Sequence, residues 1–290
     1  MTVKRISSRD NPAVKHLHAL ATSARDRRRE GETLLDGAHL LEVALARGAA
    51  LRQVVVSESG KSLQEIARLL ARCNPDILVE VPDRVFAHVS PVDSPSGVLA
   101  RIAIPVQPDA LSVVGTCVVL DGVQDPGNLG TILRTAAAVG VGDVLLTPGC
   151  AQAWSPRVLR AAMGAHFGLR LWEGCDVGAA LAGFPGAILA ADLRDAVELY
   201  ALDLQGPVAW LFGSEGRGLS EGIAALATGR VRIPMPGGME SLNVGVAAGV
   251  AAGVGGACSS RPSAISSVRE RGAMCCVRVI VDLLFAQSIE

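Results

Sequence analysis

The sequence predicts an α/β protein with two domains, of which the second is built on a mostly parallel sheet. Short apolar runs that suit buried strands alternate with helical patterns along much of the 290 residues. Hydrophobic residues make up 50% of the chain but aromatic residues only 3%. Ala, Val and Leu therefore dominate the cores, which suits tightly packed α/β layers. The stretch 105–109 has the composition of a linker and marks the expected domain boundary.

The first hundred residues are expected to form the smaller α/β domain. The predicted helices cover 12–30, 33–47 and 62–71, and the predicted strands cover 54–56, 77–81 and 98–104. Asn11 followed by Pro12 suits the start of a helix, and Gly48 suits the end of one.

The second half shows the pattern of repeated βα units, which predicts parallel strands. The predicted strands cover 117–120, 144–146, 187–190, 208–212 and 231–233, and the predicted helices cover 131–139 and 155–163. We place His166 on a face of the helix capped by Ser155. The uncharged stretch 241–260 is rich in Gly and Ala, so we interpret it as a buried helix plus a loop and not as a membrane span.

Charge and cysteine usage limit the class of protein. The net charge is -1, but residues 1–30 hold eight Lys or Arg against three acidic residues. Such a basic segment is either a phosphate-attracting patch or a solvated helical face, and charge alone favours neither. The seven cysteines have no zinc spacing and no secretory framework, and the N-terminus has no apolar signal core. We therefore expect a cytoplasmic protein without a metal site.

Three loops that follow predicted strands carry the candidate functional residues. The first, at 121–134, is a turn-rich loop entering a helix. Asn128 is suited to capping the helix or to orienting a neighbouring group. Arg134 presents a planar cation that suits a phosphate, and the alternative is that it is an ordinary surface residue of the helix. The loop lacks the glycine spacing of a dinucleotide fold and the Gly-Lys-Ser/Thr of a phosphate loop, so ordinary NAD or ATP binding is not supported.

The second loop, at 211–220, is rich in glycine. Glycines at 213, 216 and 218 allow the backbone to turn sharply and to approach a ligand closely. Glu215 is a carboxylate held among them, although a plain turn with an exposed glutamate would give the same sequence.

The third loop, at 232–244, breaks a strand at two prolines, passes through two glycines and enters a helix near Ser241. Ser241 and Asn243 are good capping residues. They are equally suited to donating hydrogen bonds to a substrate hydroxyl or to a cofactor carboxylate.

In this order the three loops resemble the SpoU-type, or TrmH, family of RNA 2′-O-ribose methyltransferases within the trefoil-knotted SPOUT class. The resemblance covers about 114–250. The N-terminal part is similar to the substrate-binding domain attached to several such enzymes, a ribosomal-protein L30e-like α/β fold, through the motifs at 8–15, 36–37 and 94–98. The implied domains are 1–107 for RNA binding and 114–255 for catalysis, followed by an atypical tail at 256–290. This tail is either a genuine extension or an altered reading frame.

The resemblance implies S-adenosyl-L-methionine as cofactor, lined by Gly213, Ile233 and Leu242. It implies a knot in which the C-terminal segment threads a loop, and a homodimer with its active sites at the subunit interface. The catalytic or substrate-binding positions that it implies are Asn128, Arg134, Glu215, Ser241 and Asn243. One departure is Gly245, where the family usually has serine; with Gly249 and Gly253 it would form a smooth stripe that permits close helix packing.

The expected function is methyl transfer to a ribose 2′-hydroxyl, with ribosomal RNA as substrate. A guanidinium does not readily lose a proton, so Arg134 is expected to bind the adjacent phosphate and stabilise the developing alkoxide. Ser241 and Asn243 are expected to fix the hydroxyl, since positioning can supply much of the rate enhancement. Transfer to tRNA, and a catalytically inactive RNA-binding or ribosome-assembly protein, are the alternatives.

Overall fold

The computed structural model describes residues 4–92, 94–107, 112–113, 115–204, 206–239 and 241–260. The strands are β1 (Lys4–Arg5), β2 (Glu32–Asp36), β3 (Leu51–Ser57), β4 (Leu78–Val81), β5 (Val98–Ala103), β6 (Cys117–Asp121), β7 (Asp143–Leu146), β8 (Arg170–Glu173), β9 (Ala187–Ala191), β10 (Val197–Glu198), β11 (Val208–Gly213) and β12 (Gly229–Arg232). The helices are α1 (Pro12–Thr22), α2 (Ala24–Glu30), α3 (Ala38–Ala46), α4 (Glu58–Lys61), α5 (Gln64–Leu70), α6 (Asp83–Val89), α7 (Pro126–Ala138), α8 (Pro156–Ala162), α9 (Val177–Ala180), α10 (Glu221–Ala224) and α11 (Val244–Ser260). Short 3₁₀ segments lie at Pro75–Ile77, Ala165–Gly168 and Leu199–Ala201.

The chain divides into two compact units. The first unit takes the described part of Met1–Gln107 together with Gln152–Phe167. The second unit takes the described part of Pro108–Ala151 and of Gly168–Glu290. Residues 152–167, which include α8, therefore group with the first unit, although the sequence interpretation placed them inside the stretch 114–255.

The first unit contains a mixed five-stranded sheet in the order β1-β4-β3-β5-β2. β5 runs antiparallel to both of its neighbours, while β1, β4 and β3 are parallel. Helices α1 and α6 bury apolar side chains against the sheet. This core contains Ile6, Val14, Leu17, Leu20, Leu34, Val55, Val79, Val81, Val85, Phe86, Val89 and Leu99. The predicted small α/β domain is confirmed as α/β, but the sequence interpretation missed β1, α4 and α6.

The predicted helix at 33–47 was wrong in its first four residues, which belong to β2. Leu34 and Leu35 are both fully buried, so this strand lacks the polar alternation that would distinguish it from a buried helix. At the end of the strand Gly37 adopts φ 107°, which is accessible to glycine, and α3 starts after it. The predicted helix at 12–30 is also interrupted, because Ser23 is extended and caps α2.

Arg27 does not contribute to a basic surface. It is buried, and its guanidinium donates to the Gln152 side chain at 2.8 Å and to the Leu20 carbonyl at 2.7 Å. Arg29 pairs with Asp26 and Glu30, and Lys15 pairs with Asp10. The exposed cations of this segment that make no hydrogen bond or ion pair with described residues are Lys4, Arg25 and Arg28.

His166 was wrongly placed on a helix face. Met163 and Gly164 adopt positive φ and end α8, and His166 follows in a 3₁₀ segment, where it is buried against Trp154. Its Nε2 donates to the Ala153 carbonyl at 2.8 Å. Burial lowers the pKa of His166 from 6.5 to about 4.

The buried histidine predicts a pH-dependent stability. Because the pKa of His166 is lower in the folded than in the unfolded chain, its contribution is complete above pH 6.5 and is lost as the pH falls towards 4. The shift corresponds to a loss of roughly 3 kcal/mol in the free energy of unfolding of the first unit. Urea unfolding between pH 4 and 7.5 should show this slope in the wild type and a flatter one in His166→Gln. The exposed His39, replaced by glutamine, is the control and should keep the wild-type slope. Equal slopes in all three proteins would contradict the prediction.

The second unit confirms the predicted parallel sheet. Its seven strands lie in the order β10-β12-β9-β11-β6-β7-β8, and every pairing among them is parallel. Alternate residues of β11 point to opposite faces, so Ala209 and Leu211 join a core with α9, while Trp210 and Phe212 are buried on the other side. Helices α7 and α11 pack together, and α11 also contacts β11.

Helix α7 begins five residues before the predicted position. The Asp125 side chain accepts a hydrogen bond from the Asn128 amide at 2.7 Å and caps the helix, and Pro126 occupies the first turn. Pro126 and Gly127 look like turn residues in sequence, but proline is favoured at the first position of a helix. Asn128 consequently lies in the first turn of a helix and not in a free loop.

The glycine stripe of α11 packs against α7 as the spacing predicted. A Cβ on Gly245 would lie 3.2 Å from Thr131 Cγ2, and one on Gly249 would lie 3.2 Å from Thr135 Cγ2. The stripe therefore accommodates the threonines of the facing helix. Of the stretch 241–260, residues 241–243 are not helical and α11 takes up Val244–Ser260, so the expected helix and loop are both present, with the loop before the helix. Most of the predicted tail, at 261–290, lies outside the described residues. In the described part of the chain, no helix is long and apolar enough to cross a membrane.

Candidate active site

All three predicted loops begin at the carboxyl ends of strands of the second unit. β6 and β11 are neighbours, and Asp121 pairs in register with Gly213 at their last residues. β12 lies one strand further along, beyond β9. Because every strand points the same way, the three loops emerge at one edge of the sheet, where α/β proteins bind ligands.

One residue from each loop joins a hydrogen-bonded cluster. Asn128 Nδ2 donates to Glu215 Oε1 at 2.7 Å. Asn243 Nδ2 donates to Asn128 Oδ1 at 2.8 Å and to the same Glu215 Oε1 at 2.9 Å. These residues are 28 to 115 positions apart in the chain, so the cluster fixes the three loops relative to one another. We refer to these residues as the three-loop cluster.

Both the oxygen and the nitrogen of the Asn243 side-chain amide make hydrogen bonds within the protein. Its Oδ1 accepts from the Gly245 amide at 2.9 Å and the Val246 amide at 3.3 Å, so that it caps α11. Its Nδ2 makes the two bonds of the three-loop cluster. An amide offers two donor hydrogens, and both are engaged here. The Asn243 side chain therefore organises the site and has no donor hydrogen left for a substrate.

The second loop forms a tight turn around Glu215. Ser214 and Gly218 exchange backbone hydrogen bonds of 3.1 and 2.8 Å, which places Glu215 at the tip. A Cβ on Gly213 would lie 2.0 Å from the Gly218 carbonyl carbon, so only glycine permits the strand and the turn to approach so closely. Glu215 is exposed, and its Oε2 makes no hydrogen bond with a described residue, which leaves this oxygen able to accept one.

Arg134 lies outside the three-loop cluster. It is exposed on α7 and makes no hydrogen bond or ion pair with any described residue. Ser241 is likewise exposed and makes no such contact within the described part of the chain. Within the described part of the chain, the Arg134 guanidinium and the Ser241 hydroxyl are therefore both available to a ligand.

A cavity of about 550 Å³ adjoins the start of the third loop. It is lined by Glu198, Tyr200, Arg232, Pro234, Met235 and Pro236. Arg232 donates to Glu198 at 2.9 Å across the neighbouring ends of β12 and β10. Ile233 lies between two of the lining residues in the chain, whereas Leu242 is 38% exposed and does not line this cavity. Sequence reasoning missed Tyr200 and Glu198 because they belong to a separate segment without a recognisable motif.

Two cysteines near these loops are not suited to nucleophilic catalysis. Cys150 and Cys175 follow β7 and β8, and their thiols face the carbonyls of Leu120 and Leu146. Burial raises the pKa of both thiols, which keeps them protonated. Among the described residues there is also no group of three or more His, Cys, Asp or Glu that could hold a metal ion.

Comparison with known proteins identifies the family. Residues 115–253 match the SpoU rRNA Methylase family, and residues 11–100 match the MRM3-like substrate binding domain. The chain is 38% identical to an uncharacterized tRNA/rRNA methyltransferase of Synechocystis sp., over 84% of this chain and 90% of that protein. It is 28% identical to the 23S rRNA guanosine 2′-O-methyltransferase RlmP of Bacillus subtilis, over 86% of this chain and 97% of RlmP.

A solved structure supports the same assignment. The AdoMet-bound rRNA methyltransferase from Sinorhizobium meliloti superimposes with a TM-score of 0.74 at 29% identity, over 86% of this chain and 95% of that one. The chain therefore belongs to the SpoU rRNA Methylase family, which confirms the resemblance seen in the three loops.

Proposed function

We propose that this protein transfers a methyl group from S-adenosyl-L-methionine to a ribose 2′-hydroxyl of ribosomal RNA. The observation that carries the proposal is the three-loop cluster, which joins Asn128, Glu215 and Asn243. Arg134 and Ser241, on the helix of the first loop and in the third loop, make no hydrogen bond or ion pair with a described residue. This arrangement provides a fixed polar platform with separate groups for a phosphate and a hydroxyl. Relatives of the same family whose names specify rRNA 2′-O-methylation support the choice of reaction.

The residues at the sheet edge fit the proposed cofactor. S-adenosyl-L-methionine combines a flat aromatic ring with a polar amino-acid end, and bound here it would supply an electrophilic sulfonium methyl. The close turn at Gly213 brings backbone groups to the surface, and Ile233 and the exposed Leu242 offer apolar contacts. Tyr200, Pro234 and Met235 add an apolar wall to the adjoining cavity. We propose that the cofactor is held by Gly213, Ile233 and Leu242 and extends along this wall.

Tyr200 gives a direct test of the cofactor site. Tyr200→Ala should weaken S-adenosyl-L-methionine binding about fivefold, because it removes an aromatic contact worth roughly 1 kcal/mol. Tyr200→Phe retains the ring and should bind within about twofold of the wild type. Isothermal titration calorimetry with the cofactor alone checks both values. Equal affinities for the alanine and phenylalanine variants would exclude Tyr200 from the cofactor site.

The chain's own residues would act by positioning and charge stabilisation. We propose that Arg134 binds the phosphate next to the target ribose and stabilises negative charge that develops on the 2′-oxygen. Since the side-chain amide of Asn243 has no donor hydrogen left, we propose that the Ser241 hydroxyl binds the substrate hydroxyl, with Glu215 Oε2 as an available acceptor. The sequence interpretation assigned Asn243 to the hydroxyl itself, and we propose instead that it orients Asn128 and Glu215.

The proposed domain roles follow from the matches and the charge. We propose that residues 1–107 bind RNA, with Lys4, Arg25 and Arg28 as cations available to phosphates, and that residues 114–255 form the catalytic domain. We further propose the family's trefoil knot, an L30e-like fold for the first domain, a homodimer with shared active sites and a cytoplasmic location.

The substrate is tested by methylating purified ribosomal and transfer RNA with labelled cofactor and mapping the modified nucleotide. We expect label at one ribose of ribosomal RNA. Transfer RNA is the second candidate, because the name of the Synechocystis relative includes it. Cofactor binding without methylation of either RNA would instead identify a cofactor-binding protein that is catalytically inactive, and RNA binding without cofactor binding would identify an RNA-binding or ribosome-assembly protein.

A further inference from the structure

The last residue of β6 carries a carboxylate that reaches two other loops. Asp121 Oδ2 accepts a hydrogen bond from the Ser220 backbone amide at 2.7 Å, 99 positions along the chain. Asp121 Oδ1 accepts from the Thr147 hydroxyl at 2.9 Å. Asp121 therefore links the first loop to the end of the second loop and to the loop that follows β7.

Thr147 extends this connection back to the first loop. Its Oγ1 accepts from the Gly122 amide at 3.2 Å while it donates to Asp121, and its side chain is almost completely buried. The hydroxyl thus bridges the carboxylate and the backbone that follows it. Three hydrogen bonds thus connect Asp121, Gly122, Thr147 and Ser220. We term these four residues the Asp121 clamp.

The Asp121 clamp lies at the base of the turn that presents Glu215. Asp121 pairs in register with Gly213, where that turn starts, and holds Ser220, just beyond its end. Between these points Ser214 and Gly218 close the turn. Two sets of hydrogen bonds therefore fix the position of Glu215. The Asp121 clamp holds the ends of its turn, and the three-loop cluster holds its side chain.

We propose that Asp121 is a positioning residue for the methyl transfer, which acts by holding the Gly213–Ser220 turn so that Glu215 joins the three-loop cluster. This inference rests on the proposed function. Both carboxylate oxygens already accept hydrogen bonds from the protein, so Asp121 acts through the turn and not by taking a proton from the substrate. Its role depends on hydrogen-bonding geometry and not on its charge.

Replacing Asp121 by asparagine shows whether its role depends on hydrogen bonding or on its negative charge. The amide oxygen of Asp121→Asn can accept from the Ser220 amide, and its nitrogen can donate to Thr147 Oγ1, which has lone pairs to receive it. Asp121→Ala removes both bonds. Thr147→Val, which keeps the shape of the buried side chain, removes the bridging hydroxyl and leaves the bond to Ser220.

The experiment compares wild type, Asp121→Ala, Asp121→Asn and Thr147→Val by steady-state methylation and by amide hydrogen exchange of the segment 214–224. We expect Asp121→Ala to lower kcat about 100-fold, because a displacement of about 1 Å can cost that much, with KM for RNA within about threefold. Asp121→Asn should recover kcat to within about fivefold of the wild type. Amide hydrogen exchange in 214–224 should rise in Asp121→Ala and remain at the wild-type level in Asp121→Asn. For Thr147→Val we expect both kcat and exchange to lie between the values of these two variants.

Two results would overturn the proposal. Wild-type kcat and exchange in Asp121→Ala would show that the turn does not depend on the Asp121 clamp. An equal loss of kcat in Asp121→Asn and Asp121→Ala would show that the charge is required. A wild-type protein that methylates no RNA would refute the proposed function, and hydrogen exchange would then still decide by itself whether Asp121 holds the turn.

Discussion

Replacing Arg134 by alanine is expected to reduce the rate of RNA methylation by roughly 100- to 1,000-fold, the usual effect of removing one group that stabilises charge in a transition state. The structure leaves the Arg134 guanidinium exposed and without a partner among the described residues. Its removal therefore breaks no hydrogen bond or ion pair with a described residue, and the melting temperature should change little. The loss should appear in single-turnover methylation of the RNA substrate at saturating cofactor.

Two further variants show whether the effect belongs to the guanidinium at this position. Arg134→Lys keeps the charge but not the planar fork that grips a phosphate at two points, so we expect it to remain at least tenfold slower than the wild type. Arg68 on α5 is another exposed helical arginine without a described partner. It lies in the proposed RNA-binding domain and not among the catalytic residues, so Arg68→Ala should keep a near-normal single-turnover rate at saturating RNA. An Arg134→Ala protein with near-normal turnover would remove Arg134 from the proposed mechanism.

The parallel sheet of the second unit could be predicted because its central strands β6, β7 and β11 are buried on both faces and are separated by strong turn signals. The runs at 117–120 and 208–212 are continuous apolar segments, and each ends in a glycine-rich loop. Once strands are parallel, their carboxyl ends share one edge, so the approach of the three loops follows from the order of elements alone. The same burial misled the prediction at Leu34 and Leu35, where an apolar run without alternation fits a helix as well as a strand.

The side-chain partnerships could not be predicted, since they depend on distances between residues far apart in the chain. Asn128 was expected in a loop, and it reaches Glu215 because Asp125 starts α7 early enough to place it in the first turn. Ser241 and Asn243 looked equivalent as caps, and only the start of α11 at Val244 separates them. Asp121 gave no signal beyond its place at a strand end, because its partner is a backbone amide 99 positions away.

The glycines of the second loop show how one motif combines different physical requirements. Gly213 has no room for a Cβ, whereas a Cβ on Gly216 would meet nothing within 4 Å. Gly218 also has open space but adopts φ 68°, a conformation that costs other residues roughly 1–2 kcal/mol. The sequence shows three equivalent glycines, but the structure gives each a different tolerance to substitution.

Gly213→Ala is accordingly expected to be the most damaging single change in the second loop. The added methyl would lie 2.0 Å from the Gly218 carbonyl carbon and 2.3 Å from the Leu219 nitrogen, both of which are backbone atoms. The strand and the turn must separate, which breaks the hydrogen bonds between Ser214 and Gly218 and moves Glu215. We expect a loss of about 3 kcal/mol in the free energy of unfolding, from overpacking and the lost hydrogen bonds. Methylation should fall at least ~100-fold, since the site loses its alignment.

Gly216→Ala is the matched control, since it adds the same methyl to the same turn in open space. It should change the free energy of unfolding by less than about 0.5 kcal/mol and keep cofactor affinity, as surface substitutions usually do. Urea unfolding, RNA methylation and calorimetric titration of S-adenosyl-L-methionine on both variants provide the comparison. If Gly213→Ala unfolded and bound cofactor like Gly216→Ala, the close approach of Gly213 and Gly218 would not limit the turn. A large loss of stability and methylation in Gly213→Ala alone would show that the site depends on this backbone contact. The same methyl group is added to the same turn in both variants, but only at Gly213 does it clash with backbone atoms.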